Sequence, residues 1–276
     1  MPSETPLTLP PHLKELVENG RRAVASPEAA RRALQLLDFT SLNDDDDDQR
    51  IEAFCRRAVT SVGHVAAVCL YPDFVPTARR VLAGTGVRVA SVANFPAGGP
   101  DPATAADETR AAIDRGAEEV DIVFPYKAFL AGEADVGARV VAACRKACGP
   151  VPLKVFLETS QLPDADAVAA LSRISIGEGA DFIKTSTGKA GGGATLEAAA
   201  IMLDEIRNSG RTVGLKPSGG IRNTEQAAQF LSLAQAAMGA GYVAPATFRI
   251  GASSVMGDLL ETLGIASEGA PTSSGY

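Results

Sequence analysis

Apolar runs and alanine-rich stretches alternate along most of the chain. From about residue 65, each apolar run has the length of a strand, and the runs recur at intervals of about 22 to 33 residues. The segments between the runs have alanine-rich, helical spacing of apolar positions. The predicted strands are 65–70, 87–93, 119–124, 152–157, 180–185, 212–217, 239–243 and 247–252, of which 239–243 has the weakest pattern, and the predicted helices are 101–116, 133–148, 163–178, 195–209 and 222–238.

This rhythm predicts the fold class. Strands that alternate with helices form a parallel sheet, and eight such units close it into an α/β barrel, the (β/α)₈ or TIM barrel. An open, doubly wound parallel sheet is the alternative that periodicity leaves open. A chain of 276 residues has an ordinary length for one such barrel.

The two ends of the chain have a different pattern from the barrel. Before residue 36 we predict two short helices, one over about 11–19 and one that starts at Ser26, with Pro27 at the first helical position. Residues 266–276 (ASEGAPTSSGY) are rich in Ser, Gly and Pro, a composition typical of flexible segments. The sequence therefore predicts an N-terminal helical extension (1–35), a barrel (36–265) and a flexible C-terminal tail (266–276).

Composition narrows the class of protein. Hydrophobic residues make up 46% of the chain and aromatic residues only 5%, so the core is expected to be aliphatic. A net charge of -7 without a long basic run argues against a nucleic-acid partner. No apolar run approaches the roughly 20 residues that span a bilayer, so we expect no membrane partner. The four cysteines match neither a disulfide framework nor a CxxC site, which favours the cytoplasm: Cys55, Cys69, Cys144 and Cys148.

Two lysines lie on successive predicted strands. Because strand side chains alternate between two faces, Lys184 shares a face with Phe182 and Ser186, and Lys216 shares one with Gly214. Both lysines are thus expected inside the barrel on strands about 4.8 Å apart. Two buried ammonium groups so close are costly unless one amine is neutral, which is the form that attacks a carbonyl. Spacing does not decide which lysine is the nucleophile, and a structural lysine paired with a carboxylate is the alternative.

Asp121 is the candidate proton relay. It alternates with apolar residues in the strand 119–124, on the face that also carries Glu119. It lies two repeats before Lys184, and alternate strands contribute to the same inner layer of a barrel. We therefore expect Asp121 to exchange protons near Lys184, directly or through water. An ion-pair partner that only neutralises a lysine is the alternative role, and the two are compatible.

Three turns at the ends of late strands are candidate phosphate sites. One follows the strand 180–185, one follows 212–217, and one follows 247–252 and leads into a helix. Backbone N–H groups in such turns and at helix N-termini bind phosphate without many basic residues. The candidates are Thr187, Gly188, Lys189, Gly219, Gly220, Ser253 and Ser254.

The histidines do not suggest a metal centre. His12 belongs to the N-terminal segment, and His64 precedes the strand 65–70. Neither position suits a histidine-ligated metal in the site. We therefore expect covalent amine catalysis with no metal and no cofactor.

Seven motifs also resemble one known family. They are DFTSLNDDD (38–46), VCLYP (68–72), ANFPAG (93–98), EVDIVFPY (119–126), DFIKTSTGK (181–189), GLKPSGGIR (214–222) and FRIGASS (248–254). Together they resemble the deoxyribose-phosphate aldolases from about residue 30 onward. One departure is Ser218, where the family pattern leads us to expect alanine; we expect it to be tolerated.

The resemblance implies a reaction and roles for residues. It implies a metal-free barrel enzyme that reversibly cleaves 2-deoxy-D-ribose 5-phosphate to D-glyceraldehyde 3-phosphate and acetaldehyde. It implies that Lys184 forms the Schiff base, that Lys216 lowers the pKa of Lys184, and that Asp121 shuttles protons. It also assigns proton transfer at the enamine carbon to the terminal Tyr276 and places Cys69 near the site, although a core role for Cys69 is the alternative.

Some expectations rest on the resemblance alone. The family forms dimers or larger assemblies, so we expect a homo-oligomer, with a dimer as the first expectation. The alternatives for function are another phosphosugar barrel enzyme, such as an isomerase or a different Schiff-base lyase, and a non-catalytic sugar-phosphate binding protein. A substrate panel separates the first alternative, and ligand protection without turnover would favour the second.

Overall fold

Eight parallel strands form the centre of the molecule. The computed structural model describes residues 7–265. In chain order the barrel strands, labelled β1 to β8, are Leu37–Thr40, Ala67–Leu70, Arg88–Ala93, Glu119–Val123, Leu153–Phe156, Phe182–Lys184, Gly214–Lys216 and Ile250–Ala252. A separate two-stranded hairpin joins Val59–Thr60 to Gly63–His64.

Eleven helices of the described residues surround or flank these strands. In chain order, α1 to α11 are Pro11–Arg21, Pro27–Gln35, Asp48–Arg57, Val75–Val81, Pro102–Asp114, Tyr126–Leu130, Ala134–Cys148, Ala165–Gly177, Leu196–Ser209, Thr224–Met238 and Val255–Thr262. Short 3₁₀ turns occupy Pro72–Phe74, Thr159–Gln161 and Ala240–Tyr242. Among residues 7–265, no helix combines the length and the apolar character that crossing a bilayer requires.

The sheet closes on itself. Its strands run in the order β8, β1, β2, β3, β4, β5, β6, β7, and every ladder between them is parallel. Parallel bridges from Leu215 to Phe248 and from Ser218 to Gly251 join β7 to the segment that contains β8. The predicted (β/α)₈ barrel is therefore confirmed, and the open-sheet alternative is wrong.

Two details of the strand prediction are wrong. The segment 239–243 is not a strand: Gly239 has a φ of 86° and a 3₁₀ turn follows it at Ala240–Tyr242. The barrel still has eight strands, because the pattern of apolar runs also missed one strand, β1. In β1, Asp38 and Thr40 alternate with only two apolar residues, so the strand has no apolar run to find. Every strand that we predicted from 65–70 to 212–217 is consequently one place later around the barrel.

Side chains cap several helix starts, at Ser26 as predicted and also at Asp101 and Asn223. The side chain of Ser26 accepts a hydrogen bond from the Ala29 N–H group, with Pro27 as the first residue of α2. Asp101 caps α5 in the same way, and Asn223 Oδ1 accepts from the Gln226 N–H group at the start of α10. These side chains satisfy backbone donors that have no partner within the helix.

The core is aliphatic, as the composition indicates. Side chains such as Val68, Val120, Val155 and Leu215 are fully buried between strands and helices. Helices α5 and α7, α8 and α9, and α1 and α10 pack against one another around the barrel. The boundaries of the N-terminal extension and of the barrel stay predictions, and the predicted tail 266–276 lies outside the described residues.

Candidate active site

A cavity opens at the carboxyl ends of the strands. It is lined by residues of β1, β5, β6 and β8 and of the segments that follow β1, β6, β7 and β8. Parallel strands in a barrel all end at the same face, so side chains from distant parts of the sequence converge there. The lining residues are Thr40, Leu42, Phe156, Lys184, Ser186, Thr187, Ser218, Gly219, Gly220, Ile221, Gly251, Ala252 and Ser253.

Lys184 and Lys216 face each other across adjacent strands. They are direct partners in the parallel ladder between β6 and β7. Lys184 is 2% exposed and lines the cavity, whereas Lys216 is fully buried beneath it. The prediction that both side chains point into the barrel agrees with this arrangement.

Asp121 lies between the two amines. Its Oδ2 atom accepts a hydrogen bond from Lys184 Nζ at 2.6 Å and another from Lys216 Nζ at 2.8 Å. Asp121 is on β4, two strands before Lys184, and is fully buried. One carboxylate oxygen therefore contacts both lysines, which is the geometry that a proton relay between them requires.

A third buried lysine, Lys154, contacts the other oxygen of the Asp121 carboxylate. Lys154 Nζ lies 2.7 Å from Asp121 Oδ1 and 2.7 Å from Glu119 Oε2. Arg249, on the chain that enters β8, bonds Glu119 Oε1 at 2.8 Å and Asp38 Oδ1 at 2.5 Å. Asp38 also forms an ion pair with Lys216. We call this set the buried charge cluster; its members are Asp38, Glu119, Asp121, Lys154, Lys184, Lys216 and Arg249.

The buried charge cluster has one more basic group than carboxylates. Three carboxylates balance three of its four basic groups, so a neutral fourth group avoids an uncompensated buried charge. Lys184 is the member of the set that lines the cavity, and it contacts only one of the carboxylates. Charge balance therefore favours a neutral Lys184.

The pKa directions agree with this assignment. Burial, aided by the nearby cation of Lys216, lowers the pKa of Lys184 to about 7, although Asp121 opposes the change. Burial acts on Lys216 too, but two carboxylates, Asp121 and Asp38, outweigh it and raise the pKa of Lys216 well above its usual value. Three lysines outweigh the burial of Asp121 and hold the pKa of that carboxyl well below its usual range. At neutral pH, Lys184 is thus the amine available as a nucleophile.

The turns around the cavity are tied to one another. Thr185 Oγ1 donates to the Ser218 carbonyl at 2.9 Å and accepts from the Ser218 N–H group at 2.9 Å. The Ser218 hydroxyl donates to the Ser186 carbonyl at 2.7 Å, so this departure from the family pattern is accommodated. Gly251 has no room for a side chain, because a Cβ there would lie 3.1 Å from Lys216 Cε and 2.7 Å from Ser218 Cβ.

Only some of the candidate phosphate residues line the cavity. Thr187, Gly219, Gly220 and Ser253 do so. Ser254 is exposed at the start of α11, and its side chain does not cap that helix. The remaining two belong to the turn after β6 without being among the lining residues: Gly188 and Lys189. Their predicted roles stay predictions.

Two further candidates remain, Cys69 and Tyr276. Cys69 is buried on β2, with its Sγ atom 4.0 Å from Asp121 Oδ2, so it lies beside the buried charge cluster without lining the cavity. Burial, with the charge of Asp121, raises the pKa of its thiol, which makes the thiolate scarce at neutral pH. Tyr276 lies outside the described residues.

Sequence reasoning missed several residues of this site. Lys154 and Phe156 lie within the predicted strand 152–157, and alternation alone would have put both on one face. Asp38 lies in the strand that was not predicted. Glu158 follows β5 in a left-handed conformation, with a φ of 55°, and its carboxylate accepts from the Thr187 hydroxyl at 2.6 Å. Nothing in the sequence pattern indicates that contact.

Comparison with known proteins also indicates an aldolase. The model of one family, described as DeoC/LacD family aldolase, matches residues 32–257 of this chain. The match covers more than four-fifths of the sequence and includes every barrel strand. The resemblance that the motifs indicated is thereby confirmed.

Solved structures with the same fold include several aldolases. A Coccidioides immitis protein provisionally described as a deoxyribose-phosphate aldolase is 29% identical, with a TM-score of 0.76 over 91% of this chain and 96% of that one. An aldolase named QR15 is 28% identical, with a TM-score of 0.71 over 83% of this chain and 96% of its own. The deoxyribose phosphate aldolase from Aeropyrum pernix, described as tetrameric, is 24% identical, with a TM-score of 0.70 over 91% and 97% of the two chains.

Proposed function

The chain belongs to the DeoC/LacD aldolase family, and from its buried lysines we propose that it cleaves 2-deoxy-D-ribose 5-phosphate through a Schiff base on Lys184. It is thus an aldolase, a lyase that makes and breaks carbon–carbon bonds. The single observation that carries the assignment of Lys184 is its position: it lines the cavity, contacts one carboxylate, and has a pKa lowered to about 7. The named substrate follows from relatives described as deoxyribose-phosphate aldolases.

The proposed reaction begins at the sugar aldehyde. Neutral Lys184 attacks C1 of the open-chain sugar, and loss of water gives an iminium ion that can accept an electron pair. The C3 hydroxyl then loses its proton, the C2–C3 bond breaks, and its electron pair forms an enamine with the iminium. C3 becomes the aldehyde of D-glyceraldehyde 3-phosphate. Protonation of the enamine at C2 and addition of water release acetaldehyde and the free amine.

Asp121 is proposed to move the protons in this sequence. It accepts the C3 hydroxyl proton directly or through water and later supplies one to C2. A carboxylate whose pKa is held so low keeps a proton only briefly, which suits a relay. Lys216 stays cationic and, as a like charge beside Lys184, helps to keep the nucleophile neutral.

The phosphate is proposed to bind in the turns after β6, β7 and β8. Thr187, Gly219, Gly220 and Ser253 line the cavity there, and Gly188, Lys189 and Ser254 belong to the same turns. Backbone N–H groups in such turns attract anions without a large positive net charge. This arrangement would place the phosphate on the β7–β8 side of Lys184 and the aldehyde beside it.

Trapping tests the proposal directly. Incubation with acetaldehyde and borohydride reduces an imine to a stable ethyl-lysine, and we expect mass spectrometry to find that group on Lys184. The variant Lys184→Met should lose both the adduct and the cleavage of 2-deoxy-D-ribose 5-phosphate. An adduct on Lys216 instead, or no adduct in an enzyme that turns over, would contradict the assignment.

Three smaller proposals accompany this function. Tyr276 would assist proton transfer at C2, and Tyr276→Phe should then slow the exchange of acetaldehyde methyl protons with solvent.

Cys69 would border the substrate site. The protein would act in the cytoplasm as a homo-oligomer, with a dimer as the first expectation, which sedimentation of the purified protein checks.

A further inference from the structure

An aromatic ring forms the wall of the cavity beside the proposed nucleophile. Phe156 ends β5 and is the direct ladder partner of Lys184 on β6. Lys184 Nζ lies 3.5 Å from the centre of the Phe156 ring. On the other side of Lys184, β7 and β8 lead into the glycine-rich turns. The amine therefore lies between a flat apolar wall and the proposed phosphate site.

The ring is held in place by further aromatic packing. Phe156 is 2% exposed, and its ring centre lies 5.8 Å from that of Phe95. Phe95 in turn packs edge-on against Tyr71, with ring centres 6.0 Å apart. Close packing of this kind resists the addition of a single methylene group. Phe156 thus cannot turn away from Lys184 without displacing its neighbours.

This wall limits what can be attached to the amine. In an imine, the aldehyde carbon is bonded to Nζ and the next carbon lies one bond further. Nonbonded carbon atoms approach to about 3.5–4.0 Å, and the ring already lies at that distance from Nζ. A methyl group on the ring side of the second carbon would need space that the ring occupies.

We propose that Phe156 determines the size of the donor aldehyde, favouring the two-carbon enamine over donors with one more carbon. The inference rests on the proposed function, because it requires Lys184 to carry the imine. It concerns selectivity for the donor, and comparing two donors with the same acceptor separates this effect from any change in acceptor or phosphate binding.

The test measures addition of two donors to D-glyceraldehyde 3-phosphate. The donors are acetaldehyde and propanal, and the enzymes are wild type, Phe156→Leu and Phe156→Ala. One methylene in an apolar site changes selectivity about 10- to 200-fold, so we expect the ratio of kcat/KM for propanal to that for acetaldehyde to rise about tenfold or more in the variants. Borohydride trapping with each donor gives a second readout that needs no turnover.

Phe124→Leu is the matched control. Phe124 is fully buried and packs against Phe129 of α6 and Gly137 of α7. The substitution therefore removes the same atoms as Phe156→Leu, but from the layer between barrel and helices instead of from the cavity. We expect it to leave the donor ratio unchanged. An equal rise in Phe124→Leu would show that general loosening causes the effect and would overturn the inference.

The proposed function and this inference fail in different ways. If the wild-type protein forms no aldol product and no Lys184 adduct with acetaldehyde, the proposed function is wrong. If the wild type is active but both Phe156 variants keep the wild-type donor ratio in turnover and in trapping, the inference alone is wrong. Thermal unfolding of each variant identifies any that does not fold, and Phe156→Leu, the smaller change, then decides the matter.

Discussion

At the scale of single residues, two lysines on adjacent strands have different charges because their carboxylate partners differ. Lys216 contacts both Asp38 and Asp121, and their negative charges outweigh the effect of burial on its pKa. Lys184 contacts Asp121 alone and has the Phe156 ring on another side. Burial and neighbouring charges therefore raise the pKa of one lysine and lower that of the other, which is the difference that the proposed roles require.

The pH dependence of catalysis should follow from this difference. Activity needs the neutral form of Lys184, whose pKa is about 7, so kcat/KM should rise with pH through about 7 and level off above it. Lys216→Met removes a like charge and leaves Asp121 free to hold Lys184 more strongly, and both changes raise the pKa of Lys184. We expect the rising limb to move by about one unit or more to higher pH, with at least about a fivefold loss of kcat/KM at pH 7. An unmoved limb in the variant would contradict the role of Lys216.

Lys154 offers a stability prediction. Its ammonium is fully buried between Asp121 and Glu119, so Lys154→Met leaves two buried carboxylates short of a partner. Breaking a buried pair in this way costs about 3–5 kcal/mol, which urea unfolding would measure. Lys14→Met at an exposed position is the control, expected to change stability by less than about 0.5 kcal/mol. Similar losses in the two variants would argue against the network.

At the scale of elements, the fit between α7 and the barrel depends on one missing side chain. Gly137 is buried in the interior of α7, where a Cβ would lie 2.0 Å from Phe124 Cζ. Alanine favours a helix over glycine by about 1 kcal/mol, but here the clash with a packed ring should dominate. The helical spacing of apolar positions in the sequence cannot predict such a conflict between helix propensity and packing.

Paired substitutions measure that conflict. We expect Gly137→Ala to lower the free energy of unfolding by about 1–3 kcal/mol. Gly257→Ala in α11, where a Cβ would meet nothing within 4 Å, should instead raise it by about 0.5–1 kcal/mol. Denaturant unfolding of the two variants gives the comparison, and stabilisation by both would show that α7 shifts at little cost.

At the scale of the whole molecule, the sequence predicts the barrel better than it predicts the site. Apolar runs identified all six barrel strands between residues 65 and 217, because outward-facing Val, Ile and Leu dominate them. They missed β1, whose inward residues Asp38 and Thr40 belong to the site and interrupt the pattern. Polar side chains inside the barrel interrupt the apolar pattern, and this interruption is why the pattern does not reveal the strand.

The candidate site shows the same limit. Alternation along strands put Lys184, Lys216 and Asp121 on inward faces, and the structure brings them together. It could not predict that Arg249 and Asp38 extend the network, because those contacts join opposite ends of the chain. Likewise, a contact such as that of Glu158 with Thr187 depends on how two turns lie over the closed barrel.

The stability of the whole protein should depend on pH through Lys184. Its pKa is about 7 in the folded state, compared with about 10.4 in an unfolded chain. Between these values the unfolded state binds more protons, so the free energy of unfolding rises with pH. From pH 7 to pH 8.5, Lys184 alone should contribute a rise of about 1–2 kcal/mol. The cysteines are buried with raised pKa values and ionise near pH 8.5 when unfolded, so they lower the free energy of unfolding over the same interval in wild type and in Lys184→Met alike. We therefore expect the unfolding free energy of the wild type minus that of Lys184→Met to grow by about 1–2 kcal/mol in urea titrations. A difference that stays constant would assign the pH dependence to other groups and would argue against a neutral lysine in the resting enzyme.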